Sequence, residues 1–481
     1  MCYNTRPTVA TTACVPSAPA PGMPDLPPWA VVRVRAGRRR PALPTRLRTL
    51  LPLVLAGLAS LCAAEASAQP YTLLIKGGHV IDPKNGRDGV MDVAIADGKI
   101  AEVAPAIDAA KARKVVDAKG LYVTPGLIDM HAHVFFGTEP DAYLSNGLVA
   151  VAPDSHSFRS GQTTLVDVGG AGWRNFAQFK ANIIDTSKTR VLSFLNIVGV
   201  GMKGGPAEQN MSDMDAKLTA MRIKQHPGLI VGIKVAHFQG SEWDPVDRAV
   251  AAGKDADVPV MIDFGGNTPP LSLDALLNTH LRPGDILTHM YAHVRGRMPI
   301  VNAQGQVEPF VVAARKRGVI FDVGHGGGSF LWRQAVPATK QGFFPDVIST
   351  DLHTGSMNAG MKDILNTMSK LLNLGMPLTD VIRANTAKAA SVIKREDLGH
   401  LGVGSEADVA VLAVRKGEFG FIDSSGGRMP GTQKLECELT LRAGQVVWDL
   451  NGRAAPDWAT MPTEAQGGNA TRPRRTSSQE Q

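Results

Sequence analysis

The chain has 481 residues, of which 50 are glycine and only 5% are aromatic. That length exceeds one minimal domain and leaves room for a large core with a smaller partner, and the glycine content favours an α/β body over an all-helical one. The formal charge is +7, but residues 1–68 carry eight Arg against Asp25 and Glu65, so nearly all of the excess lies there; the almost neutral remainder excludes a nucleic-acid binder.

At the N-terminus, GRRRPALPTRLR precedes the apolar run TLLPLVLAGLASLCA and then AEASAQP. Charged, apolar and small-residue segments in that order form an export leader over residues 1–68, with cleavage after Ala68, and imply a periplasmic or secreted protein. The apolar run is short for a membrane span, so no stable span is expected after cleavage. The Pro-rich stretch before about residue 37 is unusual for a signal and fits a misassigned start codon or an extended leader. Cys2, Cys14 and Cys62 lie in the leader, which leaves Cys437 in the strand-like KLECELTL. A core of this size needs no disulfides, and Cys437 is expected to be buried and inert.

YTLLIKGGHVID reads as strand, glycine turn, strand, and MDVAIADGKIAEVAP repeats the form with Asp97-Gly98 as a hairpin turn. ARKVVDAKGLYVTPG does so again. From residue 125 the pattern changes. Apolar strands at 127–130, 163–168, 191–198, 230–236, 258–264, 285–289, 319–323 and 346–350 alternate with longer helical stretches. This is the rhythm of a (β/α)8 TIM barrel over residues 125–395, and in such a barrel the active site lies beyond the strand C-termini. β signals return in GSEADVAVLAV and CELTLRAGQVVWDLNG. Residues 69–124 and 396–456 are therefore assigned to one small discontinuous β-sandwich domain, built from both chain ends. Residues 457–481 read as a polar, disordered tail.

The residues with chemical potential sit at the predicted strand ends. In TPGLIDMHAHVF, His131 and His133 are two apart on a strand and face the same way, so both imidazoles can address one metal ion. Lys234 ends LIVGIKVAHF; a buried lysine at such a place needs a carboxylate, a cofactor or a chemical modification. His289 ends DILTH, Asp351 follows VIST, and Asp263 ends VPVMID.

In that order (β domain, GLIDMHAH, strand-end lysine, strand-end histidine, strand-end STD, returning β domain) the chain resembles the amidohydrolase superfamily of metal-dependent hydrolases over roughly residues 71–455. The dihydroorotase-like and deacetylase-like branch is the nearest. The resemblance implies two divalent metal ions, zinc by preference. His131 and His133 would hold the more buried ion, Lys234 would be N-carboxylated and bridge both, and His289 would bind the second. Asp351 would bind the buried ion and handle the nucleophile's proton. The fifth strand of the family supplies a histidine where this chain has Asp263. An aspartate there can ligate zinc, shift the preference toward Mn or another hard ion, or leave the second site weak or absent. It can also be a plain turn residue before Gly265-Gly266.

Further polar residues share the predicted face. Arg174 or Arg295 would pair with a substrate carboxylate. His293, His325 or Tyr291 would polarise a carbonyl or stabilise its oxyanion. Asn196 and His353 are assigned to substrate contact, and His237 and Glu242 lie nearby without a role. GVGMKGGPAE is a candidate mobile lid, and GHGGGS a turn that shapes the pocket. The implied chemistry is cleavage of an amide, cyclic amide or ester by a metal-bound hydroxide. The expected partner is a small molecule bearing a carboxylate, with an N-acyl amino acid ahead of a cyclic amide or an acylated hydroxy acid; a homo-oligomer is compatible with this. A non-catalytic binding protein on a degenerate hydrolase scaffold competes, favoured by Asp263 and opposed by the retained His131, His133, Lys234, His289 and Asp351.

Overall fold

A computed structural model describes residues 69–294 and 296–462. The expected leader, Arg295 and the tail beyond residue 462 lie outside the described residues. Among the described residues, no helix is long and apolar enough to cross a membrane.

The first strands are β1 (Leu73–Asp82), β2 (Arg87–Ala96), β3 (Lys99–Ala104), β4 (Val115–Asp117) and β5 (Tyr122–Pro125). The β2–β3 hairpin turns at Asp97-Gly98, whose φ values of 49° and 74° suit a tight primed turn. Next come β6 (Leu127–Ala132), β7 (Phe136–Glu139), β8 (Gln162–Gly172), β9 (Arg190–Asn196), β10 (Ile230–Val235), β11 (Val260–Ile262), β12 (Ile286–Leu287) and β13 (Ile320–Phe321). The chain ends with β14 (Val409–Ile422), β15 (Arg428–Arg442) and β16 (Gln445–Asp449).

These strands form two sheets. One has the order β13-β12-β11-β10-β9-β8-β6, with parallel neighbours, and curls. All residues of β6, β8, β10 and β11 are buried, as expected for parallel strands covered on both faces. The covering helices are amphipathic. In Asp244–Ala256, Val246, Ala249, Ala252 and Gly253 face inward, Pro245 opens the helix, and Asp257 ends it in the left-handed region. Asp215 caps Ala216–Gln225 by accepting from Lys217 and Leu218 N–H.

The expected eighth strand, 346–350, is not a regular strand. It still bonds to both flanks: Val323 N donates to Val347 O, and Asp351 N donates to His131 O. Side chains interrupt its ladder. Thr350 N donates to the Asp129 carboxylate, and Ser349 Oγ accepts from Gly324 N.

The other sheet runs β16-β15-β14-β5-β1-β2-β3, with β4 beside β1. The expected sandwich is thus represented by one eight-stranded sheet drawn from both ends of the described chain. Its β14 lies antiparallel to β5, with Val409 opposite Pro125. The chain passes to the parallel sheet at Gly126, where an added Cβ would lie 2.2 Å from Thr163 Oγ1. Arg190, opening β9, reaches across to Asp408 at 2.6 Å. Cys437 is buried and free, with its thiol pushed up to about 12 by burial.

Candidate metal centre

Three residues converge where β6 ends. His131 and His133 are buried, with ring centroids 5.6 Å apart. His133 Nε2 lies 2.8 Å and His131 Nε2 3.4 Å from Asp351 Oδ1. All three offer ligand atoms within 4.8 Å of one another. Lys234, at the end of β10, places Nζ 3.2 Å from His131 Nε2. His289 follows β12, and its ring lies 5.1 Å from that of His131. Asp263, just past β11, has Oδ2 3.5 Å from His289 Nε2 and 3.4 Å from His237 Nε2. The structure therefore brings together all six residues assigned to metal binding, and adds His237.

The outer nitrogens are held from behind. His131 Nδ1 is 2.9 Å from Thr288 Oγ1, which donates to Asp322 at 2.7 Å; Ser349 Oγ donates to the same carboxylate at 2.6 Å. His289 Nδ1 donates to Gly324 O at 2.6 Å. These bonds leave Nε2 of each ring aimed into the site, the usual arrangement behind metal-binding histidines. Gly324 permits the approach: a Cβ there would lie 2.2 Å from Thr288 Oγ1. His237, His289 and Asp351 have left-handed φ of 56°, 56° and 50°. Each such non-glycine backbone costs about 1–2 kcal/mol, and strain of this kind gathers at functional positions.

Electrostatics set the protonation states. Burial, with Lys234 close by, pushes His131 well below its ordinary value. Burial alone would raise Asp263, but His289 and His237 outweigh it and hold the carboxyl well below the usual range. Asp351 is likewise held low, because the His133 hydrogen bond overrides burial. Burial lowers the Lys234 ammonium against the pull of Asp263 and Asp351. Neutral His131, ionised carboxylates and an easily deprotonated amine are the forms a divalent cation requires. The donor set therefore suits a divalent ion.

The remaining assigned residues scatter. His353 stays beside the centre, its ring 6.3 Å from His133, and caps Thr354–Met357. His325 is buried, with Nε2 2.5 Å from Lys370 Nζ and its ring stacked on Phe330. Burial and Lys370 push it down to about 3. Asn196 is occupied by backbone: its amide donates to Gly169 O and accepts from Val198 N. Tyr291 is turned into the core against Phe330, with its hydroxyl toward Phe343 O. Arg174 is half-exposed, bound to Asp213 at 2.6 Å and lying over Trp173. His293 and Glu242 are exposed.

An open cleft of about 1110 Å³ adjoins the centre, lined by Tyr143, Lys203, Glu208, His237, Gly265 and Gly266. The candidate lid supplies part of this wall. Its Glu208 is buried, accepts from Gly204 N at 2.7 Å and from His237 Nδ1 at 2.7 Å. The sequence reading passed over Asp322, Thr288, Glu208, Tyr143 and Arg297. The last is a buried guanidinium donating to Phe264 O and His289 O, behind the Asp263 and His289 strand ends. Asp322 carried a visible signal, an acid closing the apolar run VIFD.

Comparison with known proteins places this geometry among relatives. The profile of the amidohydrolase family matches residues 332–445. A deacetylase of Agrobacterium fabrum is 34% identical over 353 residues, covering 71% of this chain and 83% of that protein. A deacetylase of Enterococcus faecalis is 28% identical over 382 residues, 78% of this chain and 99% of that protein. Among solved structures, an adenine deaminase superposes with a TM-score of 0.70 at 28% identity, covering 79% of this chain and 100% of that one. A dihydroorotase does so with a TM-score of 0.69 at 30% identity, covering 78% and 99%.

Proposed function

Because this chain belongs to the amidohydrolase family and is a metal-dependent hydrolase, we propose that it is a deacylase that cleaves the amide bond of an N-acyl amino acid or a similar small carboxylate. The deacetylase relatives support amide cleavage. The observation that carries the reading is the approach of Asp351 to His133 and His131 at the end of the parallel sheet. Lys203, on the adjoining cleft and paired with Glu139 at 3.2 Å, is the cation there that a substrate carboxylate would compete for.

Divalent ions held by His131, His133, Lys234, Asp263, His289 and Asp351 would acidify a water and polarise the substrate carbonyl. Zinc suits the nitrogen and oxygen donors. Asp351, kept ionised by His133, accepts the proton as the water oxygen bonds to the carbonyl carbon. It returns that proton to the leaving nitrogen as the C–N bond breaks. Tyr143, whose phenol burial pushes up to about 12, remains a hydrogen-bond donor at the cleft. Lys234 is read as N-carboxylated: its neutral amine adds carbon dioxide, releases a proton and becomes an anion. Its burial, and the fact that its ammonium reaches only His131 Nε2 and Met261 Sδ among the described residues, support that reading.

The curled sheet is read as a (β/α)8 barrel over residues 125–395, completed by 346–352, whose hydrogen bonds to both flanks support closure. Residues 69–124 and 396–456 are read as one β domain, and 1–68 as the leader of an exported protein. A second reading, hydrolysis of a cyclic amide, is favoured by the likeness to a dihydroorotase structure.

The test is a substrate panel on zinc-loaded protein supplied with bicarbonate: N-acyl-D- and L-amino acids, cyclic ureides and acylated hydroxy acids. The deacylase reading expects the highest kcat/KM on an N-acyl amino acid. Turnover confined to cyclic ureides would move the assignment to a cyclic amidase, and turnover confined to esters to an esterase.

A further inference from the structure

We propose that His237 is a metal ligand, holding with Asp263 and His289 the second ion of the centre. The inference rests on the metal-dependent reading above and adds a residue to which that reading gives no role.

Three observations point the same way. First, Asp263 Oδ2 stands between two imidazole nitrogens, 3.4 Å from His237 Nε2 and 3.5 Å from His289 Nε2. Both separations exceed a good N–H···O bond, whose mode is about 2.9–3.0 Å. They match the spacing of neighbouring ligands around a tetrahedral ion, about 3.3–3.4 Å for metal–ligand bonds of about 2.0–2.1 Å.

Second, His237 is held as a ligand would be. Its Nδ1 is fixed by the buried Glu208 carboxylate at 2.7 Å, which leaves Nε2 turned toward Asp263. A carboxylate on the far nitrogen fixes the tautomer and raises the basicity of the near one. His289 is prepared in the same way by Gly324 O.

Third, the backbone is strained to aim this ring. His237 takes a φ of 56°, as do His289 at 56° and Asp351 at 50°. Gln209 Nε2 donates to His237 O at 2.8 Å and helps to hold that conformation. The ring also lines the cleft, so an ion bound there would face incoming substrate.

The competing explanation is an imidazolium bridging Glu208 and Asp263 with no metal contact. Cobalt(II) titration of metal-stripped protein with bicarbonate separates the two, read by bound metal per chain and by hyperfine-shifted imidazole N–H resonances. Wild type is expected to take two equivalents. His237→Ala should keep the first and bind the second about 100-fold more weakly or worse, beyond the 10–100-fold typical of an outer-shell loss, and should lose one shifted resonance. Unaltered circular dichroism would show that the variant folds. Two equivalents of unchanged affinity in His237→Ala would overturn the inference and leave the hydrolase reading intact. So would a wild type that takes one equivalent which the variant retains. A wild type that binds no cobalt would instead remove the hydrolase reading itself, and the inference with it.

Discussion

His133 Nε2 lies 2.8 Å from Asp351 Oδ1, although 218 positions separate the two residues. The contact couples the end of β6 to the segment that follows β13, and it keeps the Asp351 carboxylate ionised. Asp351→Asn retains the shape and loses the proton acceptor. The expected result is a fall in kcat of about 10²–10⁴-fold, the range for general acid–base groups. An unchanged kcat would remove Asp351 from proton transfer.

Among the described residues Lys234 is the one buried amine at the centre, and its lowered pKa favours the neutral form that reacts with carbon dioxide. Activity of metal-stripped protein reloaded with zinc is therefore expected to rise with added bicarbonate. Lys234→Arg, which stays cationic, should bind markedly less zinc and show no bicarbonate response. Equal recovery of wild type in carbon-dioxide-free buffer would count against carboxylation.

Gly326 has a φ of 54°, and a Cβ there would lie 2.3 Å from Asp351 Oδ2. Gly327, its neighbour, would meet nothing nearer than Ser356 Cα at 4.0 Å. Gly326→Ala should lower kcat about 10-fold or more by displacing the carboxylate, with a stability loss of about 1–2 kcal/mol from the left-handed backbone. Gly327→Ala should leave both nearly unchanged. Equal kinetics for the two variants would contradict the packing described.

Asp322 supports His131 from behind through Thr288, and burial raises its carboxyl to about 6. Asp322→Ala is expected to weaken zinc binding about 10–100-fold, as for other outer-shell partners. Competition with a chromophoric chelator measures this directly, and full retention of affinity would show that Thr288 alone orients the ring.

Lys370 is buried and donates to Gly360 O, Ile422 O and His325 Nε2, with no carboxylate among its hydrogen-bond partners. Burial lowers it from 10.5 to about 7. Between those values the unfolded chain binds more protons than the folded one, so stability rises with pH. The penalty is complete below about 7 and relieved above 10.5. Wild type should therefore gain stability relative to Lys370→Met as pH rises from 7 to 10, in urea melts at each pH. A flat difference would mean that Lys370 is an ordinary ammonium.

The residues legible in sequence were those that close an apolar run: His131, Lys234, Asp263, His289 and Asp351 each end a strand-like stretch, although His289 and Asp351 take left-handed φ that no alternation foretells. Tyr291 looked equivalent but points into the core, because His289 adopts a left-handed φ and the alternation expected after it does not continue. Arg174 is expected from sequence to pair with a substrate carboxylate, whereas Asp213, 39 positions later, captures it. The tie between Glu208 and His237 joins two loops and leaves no periodic trace. Lys370 lies on Ile364–Asn373, where a lysine normally marks the wet face, yet it is buried with its neighbours. The strand expected over 346–350 does not form as a strand, since Ser349 and Thr350 divert the ladder with their own side chains and amides.

The passage from β5 to β6 through Gly126 has a consequence in time. β5 is flanked by β1 and by β14, and β14 begins only at Val409. The strand that leads into the one bearing His131 is thus flanked by a strand that precedes every assigned ligand and by one that follows them all. A ribosome-bound chain that has emitted every assigned ligand, through Asp351, already holds β8, the partner of β6, but still lacks β14 beside β5. Order on both sides of β5 is therefore completed only by residues translated after every assigned ligand, whichever metal the centre takes.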